Sequence, residues 1–215
     1  MISERKRSRT IWILPALIVT GLVAGWLLPV GPADLLAAGE QIATRPVFVA
    51  LVVIGMAVLF TFGLPGSFAL WLIAPFHPPL IAVPLLLAGS LAGAFGAYRF
   101  ARSLGSDWRP GGAGDRVVEL LNKQSDFLTQ CALRILPGFP HSVINFAGGV
   151  LKLKLGWFLA ACAVGLSIKW GVYAWAVYDV VEMIEDGEAL SAHALLPLLV
   201  LTILLLAGAW ARRRV

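Results

Sequence analysis

The sequence predicts an all-α integral membrane protein with about four transmembrane helices and two re-entrant Pro-Gly hairpins in an inverted repeat. The first observation is composition: 59% of the 215 residues are hydrophobic, 13% are charged, and the mean hydropathy is +0.85. A soluble domain of this length cannot bury so much apolar surface. The other two observations are apolar runs of membrane-spanning length and two further runs that Pro-Gly interrupts.

Four apolar segments approach the roughly 20 residues that a transmembrane helix needs. They are 11–30, 80–101, 152–176 and 191–211. The first follows the basic N-terminus MISERKRSRT and resembles a signal peptide, but its apolar run is long and no small-x-small cleavage pattern ends it. We therefore predict an uncleaved anchor.

The charged residues predict the topology. The net charge is +5, and basic clusters lie at both ends, in the central loop and before the third span, whereas the loop 179–188 is acidic. Two re-entrant segments and four spans would place every basic cluster on the cytoplasmic side, as the positive-inside rule requires. Both termini are then cytoplasmic, and the positive charge needs no nucleic-acid partner.

The two interrupted segments, 47–77 and 127–149, share the tripeptide Leu-Pro-Gly. The residues predicted to break them are Pro65, Gly66, Pro137, Gly138 and Pro140. Ser67 and Ser142 are the predicted starts of the returning helices. Because the segments would enter from opposite faces, they indicate an inverted-topology repeat.

These segments define the predicted organisation of the chain. It consists of a basic cytoplasmic N-terminus (1–10), a transmembrane anchor (11–44), a membrane domain (45–178) with a cytoplasmic loop (102–126), an acidic outer loop (179–190) and a C-terminal transmembrane helix with a basic tail (191–215). Apolar residues at 117, 118, 120 and 121 predict a short surface helix in the central loop.

Arg134, beside the second break, is the leading candidate for ligand binding. Unpaired backbone in hydrocarbon is tolerated only against protein or a water-filled cavity, so the two breaks predict a polar cavity. Free N–H groups at the half-helix starts favour an anion there, and Arg134 adds a permanent positive charge. The predicted substrate-binding residues are Arg134, Ser67, Ser142, His141 and Asn145.

Structural interpretations of these residues stay open. Arg134 could snorkel towards the interface, His141 could carry protons or be a hydrogen-bonded structural residue, and Asn145 could cap backbone groups. Lys169, with Trp170 and Tyr173 beside it, is interpreted as an interfacial anchor, with a position facing the cavity as the alternative.

Small residues and cysteines are assigned to packing. Gly89, Gly93 and Gly96 form a GxxxGxxG face typical of closely packed membrane helices. Cys131 and Cys162 lie in apolar surroundings without metal-ligand spacing, so neither a disulfide nor a metal site is expected.

Several of these motifs resemble one family. Pro65-Gly66, the span LLLAGSLAGAFGAYRFARSLG, and Arg134-x-x-Pro137-x-x-Pro140 followed by Asn145-x-x-Gly148 resemble the DedA superfamily, also called the VTT-domain or SNARE-associated Golgi protein superfamily. The resemblance covers roughly residues 45–178. It implies two facing re-entrant hairpins and the movement of lipids, polyprenyl phosphate or phospholipids, between leaflets.

The chain also departs from DedA proteins proper. The resemblance implies acidic residues around the first Pro-Gly and a second arginine where this chain has Pro140. Neither is present, so the chain is nearer the branch shared with eukaryotic Golgi proteins, and proton coupling and undecaprenyl phosphate are less expected.

The predicted function is a lipid transporter or scramblase that moves a phosphate-bearing lipid through the cavity. A transporter of small anions or solutes and a non-transporting scaffold are the alternatives. We expect no enzyme and no cofactor, because no nucleophile–base pair, acidic dyad or metal-ligand spacing lies on the membrane segments. Membrane lipids are the predicted partners, a homo-oligomer is left open, and a bacterial inner (plasma) membrane is the predicted location.

Overall fold

The computed structural model describes residues 32–104, 111, 113–137, 139–186 and 192–214. The predicted anchor 11–30 and the predicted break residue Gly138 lie outside these ranges. Within them, all regular secondary structure is helical, as predicted. The chain divides into two units between residues 38 and 39, and all the candidate site residues lie in the second.

The helices follow one another with short connections. They are α1 (Pro32–Ala43), α2 (Pro46–Thr61), α3 (Ala69–Ile73) with a 3₁₀ turn (Ala74–Phe76), α4 (Pro79–Leu104), α5 (Ala113–Lys123), α6 (Phe127–Ile135), α7 (His141–Val150), α8 (Leu155–Asp186) and α9 (Ala192–Arg214).

Two described helices are long and apolar enough to cross a membrane, over Pro79–Ser103 and Leu155–Ile184. A third span results if Leu36–Ala43 and Pro46–Thr61, which are bent by 84°, are counted as one. The apolar part of α9 within the described residues, Leu199–Ala211, is shorter. The described chain therefore has two or three candidate spans, which agrees with an integral membrane protein.

The helix α8 is longer than predicted. The sequence placed the end of this span at 176 and an acidic outer loop after it, but the helix continues to Asp186. Apolar residues keep helical spacing between Asp179 and Asp186, and glutamate is a good helix former, so the acidic residues extend the helix instead of ending it. The predicted loop therefore begins at least one turn too early.

The first break begins before its proline. Gly63 adopts φ +77° and ends α2 in a Schellman motif, in which the N–H of Leu64 donates to the carbonyl of Leu59. Pro65 then follows in the broken segment. After Pro65 the backbone turns back on α2. The close approach is seen at Gly66, where an added Cβ would lie 3.0 Å from the Met56 carbonyl oxygen.

The second break has a different cause. Leu136 ends α6 in an extended conformation, with φ −70° and ψ 127°. A residue before proline is disfavoured in the α region, and Pro137 follows directly, so proline ends this helix. The helix resumes at His141, with Pro140 as its N-cap.

The two broken segments are packed in equivalent ways. The helix α2 packs along α4, and α6 packs along α8. Gly93 and Gly165 mediate these contacts at matching positions, each 28 residues after the proline of its own break. A Cβ at either glycine would lie 3.0 Å from a carbonyl oxygen, that of Ala57 or of Cys131.

The helix α7 is packed against both long helices through adjacent glycines. A Cβ at Gly148 would lie 2.5 Å from the Phe158 ring of α8, and one at Gly149 would collide with the Tyr98 carbonyl of α4. Gly89, Gly93 and Gly96 face α2, where the added Cβ atoms would meet Met56, Phe60 and Thr61.

The central loop contributes a packed helix. In α5, Val117 and Leu121 are buried against Leu133, Phe139 and Ile144 of the second broken segment. The amphipathic helix predicted here is thus present, and its apolar face covers the second break.

Candidate functional site

Arg134 lies in the last turn of α6 and is almost completely buried, with 1% of its surface exposed. Its Nη1 donates to the Gln130 carbonyl one turn earlier, at 2.9 Å. Its guanidinium carbon lies 4.8 Å from the centre of the Phe158 ring. Gly165 leaves room for the side chain, because a Cβ there would lie 2.9 Å from the Arg134 Cβ. Snorkelling to an interface, the alternative interpretation, does not describe this position.

The guanidinium is incompletely paired. Its Nε and Nη2 atoms are buried and have no oxygen or nitrogen acceptor among the described residues, although the thiol of Cys162 lies beside the guanidinium. A buried guanidinium ordinarily binds a carboxylate or phosphate in two-pronged geometry. Arg134 therefore has buried donor capacity that no described oxygen or nitrogen atom uses, in a position that neither cavity described below reaches.

The two breaks are in contact. A Cβ at Gly63, in the first break, would lie 3.4 Å from the Phe146 ring and 3.8 Å from the Ser142 Cβ, both on α7. The ring centres of Phe60 and His141 are 6.1 Å apart. The start of α7 thus lies beside the end of α2.

Lys169 lies in the position that the sequence analysis kept as the alternative, facing a cavity. Its Nζ lies 2.7 Å from Nε2 of His141 and 5.5 Å from the centre of the Tyr173 ring, and 7% of the residue is exposed. It sits near the middle of the 32-residue α8, roughly 20–25 Å from either end at 1.5 Å per residue. This central position is not the one that the interfacial-anchor interpretation assumed, because α8 extends ten residues beyond the predicted end of the span at 176.

A cavity of about 300 Å³ opens beside this lysine. We call it the Lys169 cavity. Its polar wall includes Ser67, Lys169 and Tyr173, and its apolar wall includes Trp71, Trp170 and Leu205. Arg134 does not line it. We call Arg134 of α6, together with the contacting pair His141 and Lys169, the basic row.

A second cavity, of about 510 Å³, lies beside Gln130, the residue whose carbonyl accepts from Arg134. We call it the loop cavity, because the loop between α7 and α8 forms one wall. Its lining includes Ser125, Asp126, Gln130, Lys152, Lys154 and Trp157. Gln130 connects it to Arg134, since the side chain lines the cavity while the carbonyl accepts from the guanidinium.

The predicted helix starts differ from the observed ones. The helix α3 begins at Ala69, two residues after Ser67, and its five residues carry too small a dipole to hold an anion. Ser142 is the second residue of α7, whose N-cap is Pro140. Its N–H precedes the first helical bond, from Ile144 to Pro140, and so remains available.

The last predicted site residue, Asn145, and the two cysteines that were assigned to packing are all buried. Asn145 is buried in α7, and it lines neither the Lys169 cavity nor the loop cavity. Cys131 and Cys162 are buried free thiols. Within the described ranges, no three His, Cys, Asp or Glu side chains come together as a metal site requires.

Comparison with known proteins adds no relative. The chain matches no protein-family model, and no curated protein and no solved structure is significantly similar to it.

Proposed function

We propose that this membrane protein moves a phosphate-bearing lipid between leaflets, with Arg134 as the central phosphate-binding group. The observation that most supports this proposal is the buried guanidinium, whose Nε and Nη2 have no oxygen or nitrogen acceptor among the described residues. An arginine inside a membrane costs about 3 kcal/mol or more on insertion scales. An anion that binds during each transport cycle accounts for the retention of this charge.

The basic row supports a path for the headgroup. In this proposal, the phosphate passes between the loop cavity and the Lys169 cavity by exchanging contacts with Arg134 and Lys169. The apolar wall of the Lys169 cavity, with Trp71 and Leu205, suits the first carbons of a lipid. Acyl chains remain in the bilayer, so only the headgroup must be accommodated inside.

The proposal extends to topology and family. The two breaks and the equivalent packing of α2 on α4 and α6 on α8 support re-entrant hairpins in an inverted repeat. With the predicted anchor and α9, this gives four spans and cytoplasmic termini in a bacterial inner membrane. The DedA-like motifs of the sequence support the same arrangement.

The test is lipid translocation in proteoliposomes with fluorescent anionic and zwitterionic phospholipids. Arg134→Ala should lower the rate at least about tenfold, the size expected when hydrogen bonds to a charged group are lost. Arg116→Ala is the matched control, because Arg116 is exposed on α5 and belongs to no cavity described above.

An unchanged rate in Arg134→Ala, with the purified protein still folded, contradicts the proposed mechanism. Uptake of a soluble anion into sealed vesicles without lipid flipping would establish the small-anion alternative instead. If the protein shows neither lipid flipping nor anion uptake, and captures partner proteins whether or not Arg134 is present, the scaffold alternative would be established.

A further inference from the structure

The loop cavity presents charges of both signs to a ligand. Lys152 and Lys154 are exposed on the loop between α7 and α8, and Asp126 faces them from the start of α6. The carboxylate of Asp126 caps α6 by accepting from the N–H and the hydroxyl of Thr129, at 3.0 and 2.6 Å. These hydrogen bonds lower the pKa of Asp126, so it stays negative near neutral pH.

Gln130 supplies a buried acceptor in the same wall. Its Nε2 donates to the Ser125 carbonyl at 2.9 Å, which fixes the orientation of the amide. Its Oε1 is buried and has no donor among the described residues, and only 3% of the residue is exposed. The amide oxygen can accept a hydrogen bond from a ligand, and the carboxylate of Asp126 in the same lining favours a donor that carries positive charge.

The opposite side of the cavity suits a phosphate. The 32-residue helix α8 begins directly after Lys154, and its first helical bond runs from the Phe158 N–H to the Lys154 carbonyl. The N–H groups of residues 155–157 therefore lack helical acceptors. Together with two lysines, they form an anion-binding end of the cavity.

Lys152 occupies a backbone position that normally favours glycine. Its φ is +53°, and it ends α7 in a Schellman motif in which Leu153 donates to the Gly148 carbonyl. The tyrosine hydroxyl of Tyr98 donates to the Leu153 carbonyl at 2.7 Å and holds this loop in place. A lysine kept in a strained conformation on a fixed loop indicates a functional side chain.

We propose that the loop cavity binds a headgroup carrying both a phosphate and a primary ammonium group. The phosphate contacts Lys152, Lys154 and the start of α8, while the ammonium donates to Gln130 Oε1 and to Asp126. Exposed Trp157 beside the cavity suits the membrane–water interface where such headgroups lie. This inference depends on the proposed function in one respect: in the transport path, the headgroup bound here would move on to contact Arg134.

The test uses the purified full-length protein in detergent, titrated with phosphoethanolamine, glycerol 3-phosphate and inorganic phosphate by calorimetry. Phosphoethanolamine should bind most tightly. Gln130→Leu should weaken phosphoethanolamine by about tenfold, the size of one hydrogen bond to a charged group, and leave glycerol 3-phosphate unchanged. Lys154→Ala should weaken all three ligands, whereas Lys123→Ala, an exposed lysine paired with Glu119 on α5, should change none.

Equal binding of the three ligands, or an unchanged preference in Gln130→Leu, overturns the proposal. Competition by phosphatidylethanolamine nanodiscs, but not by phosphatidylglycerol nanodiscs, would identify the ligand as a lipid headgroup; its absence, with the preference retained, would identify a soluble phosphoester of the same chemistry. Arg134→Ala should keep this binding while losing transport. Binding to the loop cavity and lipid transport are therefore tested by different measurements, and either proposal can be contradicted without the other.

Discussion

Nζ of Lys169 lies 2.7 Å from Nε2 of His141, so two basic side chains from α8 and α7 are hydrogen-bonded to each other. Such a bond needs an acceptor, and neither an ammonium nor a protonated imidazole provides one. The pair therefore carries at most one positive charge in this contact. His141 holds the lysine in place without neutralising it, which leaves the charge available to an anion in the Lys169 cavity.

Lys169→Met should lower lipid translocation at least about tenfold by removing one cation from the basic row. The same substitution should raise stability in detergent by about 1–4 kcal/mol, because no described carboxylate repays the burial of this ammonium. Methionine has a similar length and fills the space. Translocation and thermal unfolding of the same preparation measure both effects.

Ile168→Met is the matched control for this variant. Ile168 is the preceding residue of α8 and is 47% exposed, so it lies away from the interior. Ile168→Met should change neither the rate of lipid translocation nor the stability in detergent. Wild-type translocation in Lys169→Met would exclude Lys169 from the path, and a less stable protein would mean that its bond to His141 outweighs the cost of burial.

Lys152→Gly should stabilise the fold by about 0.5–1 kcal/mol and weaken phosphoethanolamine binding. Glycine adopts the left-handed conformation at φ +53° without a Cβ clash, but it removes one of the two lysines of the loop cavity. Thermal unfolding and calorimetric titration measure the two effects. Stability should rise while binding affinity falls, because the same lysine strains the backbone and contacts the ligand.

Gly63→Ala supplies the converse control. Gly63 occupies the equivalent Schellman position at the end of α2, with φ +77°. Alanine there should destabilise by about 1 kcal/mol. If Lys152→Gly destabilises the protein instead, the lysine side chain stabilises the fold by more than the backbone strain costs. Ligand binding would then not be needed to explain a lysine at this position.

Gly149→Ala should destabilise by about 1–3 kcal/mol, the usual cost of overpacking, and should impair transport. The added methyl would collide with the Tyr98 carbonyl, a backbone atom that cannot rotate away. The helix α7 carries His141, so its displacement would also separate His141 from Lys169. Unfolding in detergent measures the first effect and translocation the second.

The same substitution at Gly55 is the matched control. A Cβ there meets nothing within 4 Å, and the residue lies inside α2. Alanine should stabilise the helix there by up to about 1 kcal/mol, the difference in helix propensity. Equal effects of the two alanines would show that α7 is not held tightly against α4.

The general character of the protein and the positions of its breaks were predictable from the sequence. Apolar content is a property of composition, and a residue before proline is disfavoured in the α region, as Leu136 illustrates. The disfavour is not absolute, because α4 continues through Pro84 and α9 through Pro197. Arg134 stood out for the same kind of reason, since a permanent charge in an apolar segment is costly wherever the chain folds. The glycine that ends α2, Gly63, lies two residues before Pro65, the start of the predicted break, and was not among the predicted break residues.

Only the tertiary structure decided what surrounds these residues. Lys169 resembled an anchor because Trp170 and Tyr173 are typical of interfaces, and the extension of α8 to Asp186 moved it to the middle of the helix. Its contact with His141 joins residues 28 positions apart and depends on how closely α7 is packed between α4 and α8. Local pattern determines where helices form and break, whereas pairing between distant side chains depends on packing, which no local pattern encodes.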